Sequence, residues 1–133
     1  MELPPLACDS CHSVFEVWEQ RWRCRCGGLL DISPGWQPSL TITESRAGLW
    51  RYQAVLPVWC DEGVTLGEGG TSIVRSRVLP GLRMKMEFLS PTLSFKDRGA
   101  VILATLAARI GVRSAMVDSS GNAGTSAAAY FGR

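Results

Sequence analysis

No apolar run in this sequence approaches the length of a membrane span, so a transmembrane helix is not expected. Excess charge is also missing. Fourteen basic residues against 12 acidic ones leave a net charge of +2, which gives no electrostatic case for a nucleic-acid partner or an anionic membrane. The N-terminus, Met1 to Ala7, lacks the basic region and long apolar core of a signal peptide. A reducing cytoplasm is the expected compartment, and the five cysteines read as metal ligands or thiols before disulfides. Only one histidine, His12, is present. Cys60 therefore has no other imidazole to activate it and reads as a small buried thiol, not a nucleophile. No internal repeat and no P-loop or dinucleotide pattern occurs. What is present, 46% hydrophobic and 20% charged residues in 133, describes a globular chain long enough for one ordinary domain.

The most informative stretch runs from Lys85 to Ala100. It reads as a strand, a tight loop and a helix that opens with a lysine. Ser94 is a suitable N-cap, and Asp97 three residues later completes a Ser-x-x-Asp box. Lys96 then falls near the second helical position, where the positive end of the helix dipole favours its free amine. A free amine attacks aldehydes to form a Schiff base. Gly99 removes a side chain one turn in, so a flat ring can approach the backbone. A lysine in a first helical turn is ordinarily a solvated charge. Here the following helix, Ala100 to Ile110, is apolar on nearly every face and is expected to be buried, so its first turn should open into an interior site.

The run Ser90-Pro91-Thr92-Leu93-Ser94-Phe95-Lys96-Asp97-Arg98-Gly99-Ala100 resembles the lysine motif of threonine synthases, which are fold-type-II (tryptophan synthase beta-like) enzymes that use pyridoxal 5'-phosphate. In that family the lysine carries the cofactor as a Schiff base, and many members have Gly where this chain has Leu93. The resemblance implies that Lys96 is both anchor and acid–base group.

Four of the cysteines form a cluster in sequence. Cys8 and Cys11 make a Cys-x-x-Cys pair, and Cys24 and Cys26 follow as Cys-x-Cys with Gly27 and Gly28 after them. Two such pairs can close a tetrahedral structural zinc site with no open position for catalysis. Reduced thiols without metal are the alternative. Val14 to Trp18 and Arg21 to Arg23 read as the two strands of a short ribbon, and His12 as a solvated neighbour. Similar ribbons precede the catalytic domain of some threonine synthases. Residues 1–30 are thus expected to be a zinc-ribbon-like segment, 31–48 a linker rich in turn formers, and 49–133 the N-terminal part of a catalytic domain.

Within that part, Leu49-Trp50-Arg51-Tyr52 resembles a segment near the start of threonine synthase catalytic domains and reads as a packing anchor. Val64 to Val74 reads as a glycine-rich structural turn entering a strand, and resembles the family's Leu-Gly-Glu-Gly segment. Leu82 to Phe88 alternates like a strand. Gly111 after Arg109 suits a helix end. Ser114 to Asp118 reads as a short buried strand, followed by Ser119-Ser120-Gly121-Asn122 and an Ala-rich helix. Unpaired amides at such a helix start make an anion site. The resemblance implies that Asn122 contacts the cofactor and that Ser119, Ser120 and Gly121 contact an amino-acid substrate.

Alternating strands and helices from Met84 onward imply an α/β fold with a parallel sheet and a ligand site at the strands' carboxyl ends. The family's later phosphate cradle and pyridine-nitrogen partner find no match, so the chain is expected to be the N-terminal third of an enzyme, a truncated product or a fragment. It should be catalytically silent alone and form a homodimer when full length. Three functions compete. The first is threonine synthase, converting O-phospho-L-homoserine and water to L-threonine and phosphate. The second is another fold-type-II enzyme, such as a threonine dehydratase or a cysteate synthase-like enzyme. The third is a zinc-ribbon binding module without catalysis.

Overall fold

A computed structural model describes residues 3–133. Near the N-terminus, strand β1 (Leu6–Cys8) lies between β2 (Val14–Phe15) and β3 (Leu30–Ile32), antiparallel to both. Leu6 faces Phe15 on one side and Ile32 on the other. This small sheet is therefore built on a strand that ends at Cys8, the first cysteine of the cluster. Val17–Glu19 forms a 3-10 turn and Arg21 to Arg23 is irregular. Of the expected strands, Val14 to Trp18 and Arg21 to Arg23, only Val14–Phe15 is extended and paired. Glu16 and Glu19 close a capping box around that turn, a local pairing that competes with extension. Strand β3 crosses the expected boundary after residue 30.

A 3-10 helix over Gly48–Val55 follows. It sets Trp50, 3% exposed, into the core, and the indole Nε1 donates to Thr65 Oγ1 at 3.0 Å. Tyr52 stays outside at 43% exposure, so Leu49 and Trp50 carry the anchor without the second aromatic. Gly48 and Gly69 allow this docking. Both have positive φ, and a Cβ on either would sit 2.3 Å from Glu68 O or 2.5 Å from Leu49 N. With no side chain at either, the Leu49 amide reaches Glu68 O at 2.9 Å.

Strands β4 (Ile73–Arg75) and β5 (Arg83–Lys85) form a separate antiparallel hairpin. The alternation from Leu82 to Phe88 yields only three strand residues before a 3-10 turn at Glu87–Leu89. Helix α1 (Asp97–Arg109) and helix α2 (Asn122–Phe131) complete the chain. At the end of α1, Gly111 takes φ +74, and the Gly111 and Val112 amides return to Ala108 O and Ala107 O, the paired bonds of a left-handed helix stop.

The secondary structure is mixed α/β. Among the described residues, however, both sheets are antiparallel and no parallel pair forms. Ser114 to Asp118, expected as a buried strand, is unpaired and exposed, with Met116 96% accessible. Strand pairing needs a neighbour's backbone groups, and none lies alongside this segment. The core joins Leu3, Val17, Trp50 and Val58 to Ala100, Val101, Ala104 and Tyr130. Thus α1 buries one face only, and Leu103 on another face is 60% exposed. Cys60 is half-buried, with its thiol pushed up by burial and by the neighbouring Glu62 carboxylate. No described helix is long and apolar enough to cross a membrane.

Candidate active site and metal centre

The sulfurs of Cys8, Cys11, Cys24 and Cys26 lie within 4.8 Å of one another. Cys8 and Cys26 sulfurs are 3.5 Å apart, as are those of Cys11 and Cys24. That is too far for a disulfide. It is near the separation of about 3.8 Å that follows from tetrahedral geometry with Zn–S bonds of about 2.3 Å. Chain geometry brings the pairs together. The Cys8 and Cys11 thiols flank a turn closed by His12 N–H donating to Cys8 O, and the second pair sits on a turn closed by Gly27 N–H to Cys24 O. Gly28 must lack a side chain, because a Cβ there would fall 2.6 Å from Cys8 Sγ. The Ser10 and Cys11 amides donate to Cys8 Sγ at 3.4 and 3.5 Å, a cradle suited to thiolate charge. Ser13 holds the Cys11 thiol down to about 6. Cys26 is pushed up to about 12: the Gly28 amide opposes this, but hydrogen bonds with the Cys11, Cys8 and Cys24 thiols outweigh it. Four sulfurs so close cannot all ionise without a cation. His12 lies outside the cluster.

The second site is built on α1. Lys96 stands at the N-cap with helical backbone (φ −59, ψ −24). Its amide donates to Ser94 Oγ at 3.2 Å, and its carbonyl accepts from Gly99 and Ala100. Ser94 thus braces the turn ahead of the helix instead of serving as its N-cap, Lys96 stands at the N-cap and not near the second helical position, and the expected reciprocal box does not close. Asp97 turns inward, is fully buried, and accepts from Thr92 and from Ser126 of α2. The Lys96 ammonium lies 4.7 Å from the Phe95 ring centroid.

A largely apolar groove of about 470 Å³ begins at Lys96 and runs between α1, α2 and the extended 112–117 segment. Its lining includes Gly99, Leu103, Met116 and Ala123, and Lys96 is the one charged side chain. A Cβ on Gly99 would meet nothing within 4 Å, leaving flat, open backbone beside the amine. Lys85, the chain's other lysine, is occupied elsewhere: its ammonium donates to Thr71 O at 2.9 Å and lies 3.9 Å from Glu87. Glu87 is clasped by Arg98 through two hydrogen bonds of 2.7 and 2.9 Å and accepts from Thr71 Oγ1. The Arg98 guanidinium, aided by Thr71, holds the Glu87 carboxyl down to about 2.

The groove brings Lys96 to the first turn of α2 through Ala123. Asn122 is exposed at the start of that helix, and Ser120 and Gly121 are exposed just ahead of it. Ser119 is differently placed. Its hydroxyl accepts from the Gly121 and Gly124 amides at 3.3 and 3.0 Å, and it faces an adjoining groove with Ala127 and Phe131. The buried role of two carboxylates is not visible in the sequence reading: Asp97, expected in a capping box, and the fully buried Glu68, which accepts from Thr65 Oγ1, the Leu66 amide and Tyr130 OH. The available signal was a carboxylate set between glycines at Glu68, and one leading an apolar helix at Asp97.

The pattern of the pyridoxal-phosphate dependent enzyme family matches residues 64–131, which hold the lysine helix, the groove and the Asn122 loop. The chain belongs to this family. Over 95% of its length it is similar to a threonine synthase of Methanocaldococcus jannaschii, at 36% identity and covering 34% of that protein. A threonine synthase of Methanosarcina acetivorans is 32% identical over 94% of the chain and 33% of its own length. One from Mycobacterium bovis is 42% identical over 62% of the chain and 24% of its own length. The chain therefore spans about a third of the length of the first two relatives. No solved structure shows a significant match.

Proposed function

We propose that this chain supplies the lysine side of a threonine synthase site, acting on O-phospho-L-homoserine to give L-threonine and phosphate. The observation that supports it most directly is the shared groove, which Lys96, Gly99 and Ala123 in the first turn of α2 line together, with open space over Gly99. Lys96 would hold pyridoxal 5'-phosphate covalently, and Asn122 would hold its ring oxygen. When bound, that cofactor supplies an electron sink for carbanion chemistry. Lys96 Nζ is then the group that moves protons at the substrate's carbon atoms. Ser119, Ser120 and Gly121 would receive the substrate carboxylate, with Ser119 giving up its cap on the Gly121 and Gly124 amides to do so. The cysteine cluster would hold a structural zinc ion. Residues 1–30 serve as the zinc-ribbon-like segment, 31–48 as the linker, and 49–133 as part of the catalytic domain. In the whole protein, a fold-type-II homodimer, Ser114 to Asp118 would pair as a strand.

The groove is open beside Leu103 and Met116, and its lining holds no cation for a phosphate other than Lys96. The 133-residue chain alone should therefore release no phosphate above its Lys96→Ala variant. Function is tested by exchanging the chain for the stretch it matches in the M. jannaschii threonine synthase and measuring phosphate release from O-phospho-L-homoserine. Release that Lys96→Ala abolishes is the expected result. A folded, cofactor-loaded chimera that deaminates threonine but leaves the phosphorylated substrate intact would replace this reading with a dehydratase.

A further inference from the structure

Asp97 is joined directly to Lys96 and begins α1, yet it is completely buried. An acidic residue in a first helical turn ordinarily gains its stabilisation at the surface, from the helix dipole. Burying a carboxylate is costly unless hydrogen bonds replace its hydration. Asp97 recovers them from two separate elements. The Thr92 amide donates to Oδ2 at 2.7 Å and the Thr92 hydroxyl to Oδ1, while Ser126 Oγ donates to Oδ1 at 2.6 Å. Thr92 lies in the turn that leads into Lys96. Ser126 lies on α2, one turn beyond Asn122, and is itself fully buried. Asp97 does not line the groove that Lys96 opens, so it is not placed to touch a ligand there. It joins the lysine turn to the helix that carries the Asn122 loop. Charge-assisted hydrogen bonds are shorter and more directional than neutral ones, which suits a joint that must hold an angle.

We propose that Asp97 is a positioning residue: through Thr92 and Ser126 it fixes the Lys96 amine against the first turn of α2, so that both face one groove. This rests on the reading of Lys96 as the cofactor anchor. The presence of only two lysines, Lys85 and Lys96, provides an internal reference. The 133-residue chain is incubated with pyridoxal 5'-phosphate and reduced with borohydride, and the label ratio of Lys96 to Lys85 is read by peptide mass mapping. A urea-unfolded sample sets the baseline. The folded chain should exceed that baseline at least about tenfold, and Asp97→Asn and Thr92→Val should each forfeit most of the excess, as loss of a charge-assisted bond implies. Thr92→Ser, which keeps the hydroxyl, should restore it. Thr92→Val retains the amide bond to Asp97 and carries the test if Asp97→Asn does not fold. Tyr130→Phe removes the bond from α2 to Glu68 while leaving the Thr92 and Ser126 bonds to Asp97 in place, and should keep the folded ratio. A folded ratio equal to the baseline removes the anchor reading itself. A high ratio that Asp97→Asn and Thr92→Val leave unchanged, or one lost equally in Tyr130→Phe, overturns the positioning role while the anchor stands.

Discussion

Removing the Tyr130 hydroxyl tests how α2 is held. Tyr130 is 1% exposed and Glu68 is 0% exposed. The phenol donates to Glu68 Oε2 at 2.9 Å. Burial, followed by the Glu68 charge, pushes the phenol's ionisation well above its usual value, so it is the donor at any ordinary pH. Tyr130→Phe keeps the ring that packs in the core and removes one donor from a buried carboxylate. A hydrogen bond to a charged group contributes about 1.5–3 kcal/mol. Glu68 would retain two donors, Thr65 Oγ1 and the Leu66 amide, which places the expected loss near 2 kcal/mol in that range. With a urea slope of about 1–3 kcal/mol per molar, the midpoint should fall by about 1 M. Tyr52→Phe, at a half-exposed ring, is the control and should stay within about 0.5 kcal/mol of the parent. Equal midpoints for Tyr130→Phe and Tyr52→Phe would show that the Glu68–Tyr130 bond does not hold α2. A double-mutant cycle with Glu68→Gln should return a coupling of about 1 kcal/mol or more.

Chain refolded with zinc should retain about one ion per molecule, as a four-thiolate site does; elemental analysis showing none, with all five thiols freely titratable, would remove the metal centre. Glu87 is held down to about 2 from an ordinary 4.5, so its contribution is complete above pH 4.5 and is lost as pH falls towards 2. Glu87→Gln should therefore flatten the acid limb of melting temperature against pH in that window, and an unchanged limb would contradict the Arg98 clasp. Leu93 holds φ +62 and is 74% exposed. Relief of about 1–2 kcal/mol of left-handed strain, less about 0.5–1 kcal/mol for glycine's freedom when unfolded, should make Leu93→Gly more stable by about 0.5 kcal/mol. Chemical denaturation in which Leu93→Ala gains as much would assign the effect to the lost side chain instead of the backbone.

Features that depend on nearby residues were legible without coordinates. Gly111 ends α1 because its backbone angle and the two returning amides are local. The Cys-x-x-Cys and Cys-x-Cys spacings each fall on a single local turn, although the 3.5 Å sulfur contacts join one turn to the other. The lysine motif and the Ser119 to Asn122 loop could be placed ahead of their helices for the same reason. Leu93 was visible as a residue standing where glycine is common, and the positive φ supplies the reason.

Features that need a second element were not legible. Alternation from Leu82 to Phe88 and the apolar run at Ser114 to Asp118 both suggested strands of a parallel sheet. One became a three-residue hairpin arm and the other found no neighbour, because a strand exists only when another backbone pairs with it. Asp97 resembled half of a capping box until Thr92 and Ser126 drew it inward. Glu68 looked like part of a turn until Tyr130, 62 positions away, met it. Sequence alone determined where the candidate lysine, glycines and thiols stand, since those choices rest on residue type and short spacing. Tertiary structure alone decided which carboxylates are buried and which helices they join, since burying a charge becomes tolerable only when distant donors converge on it.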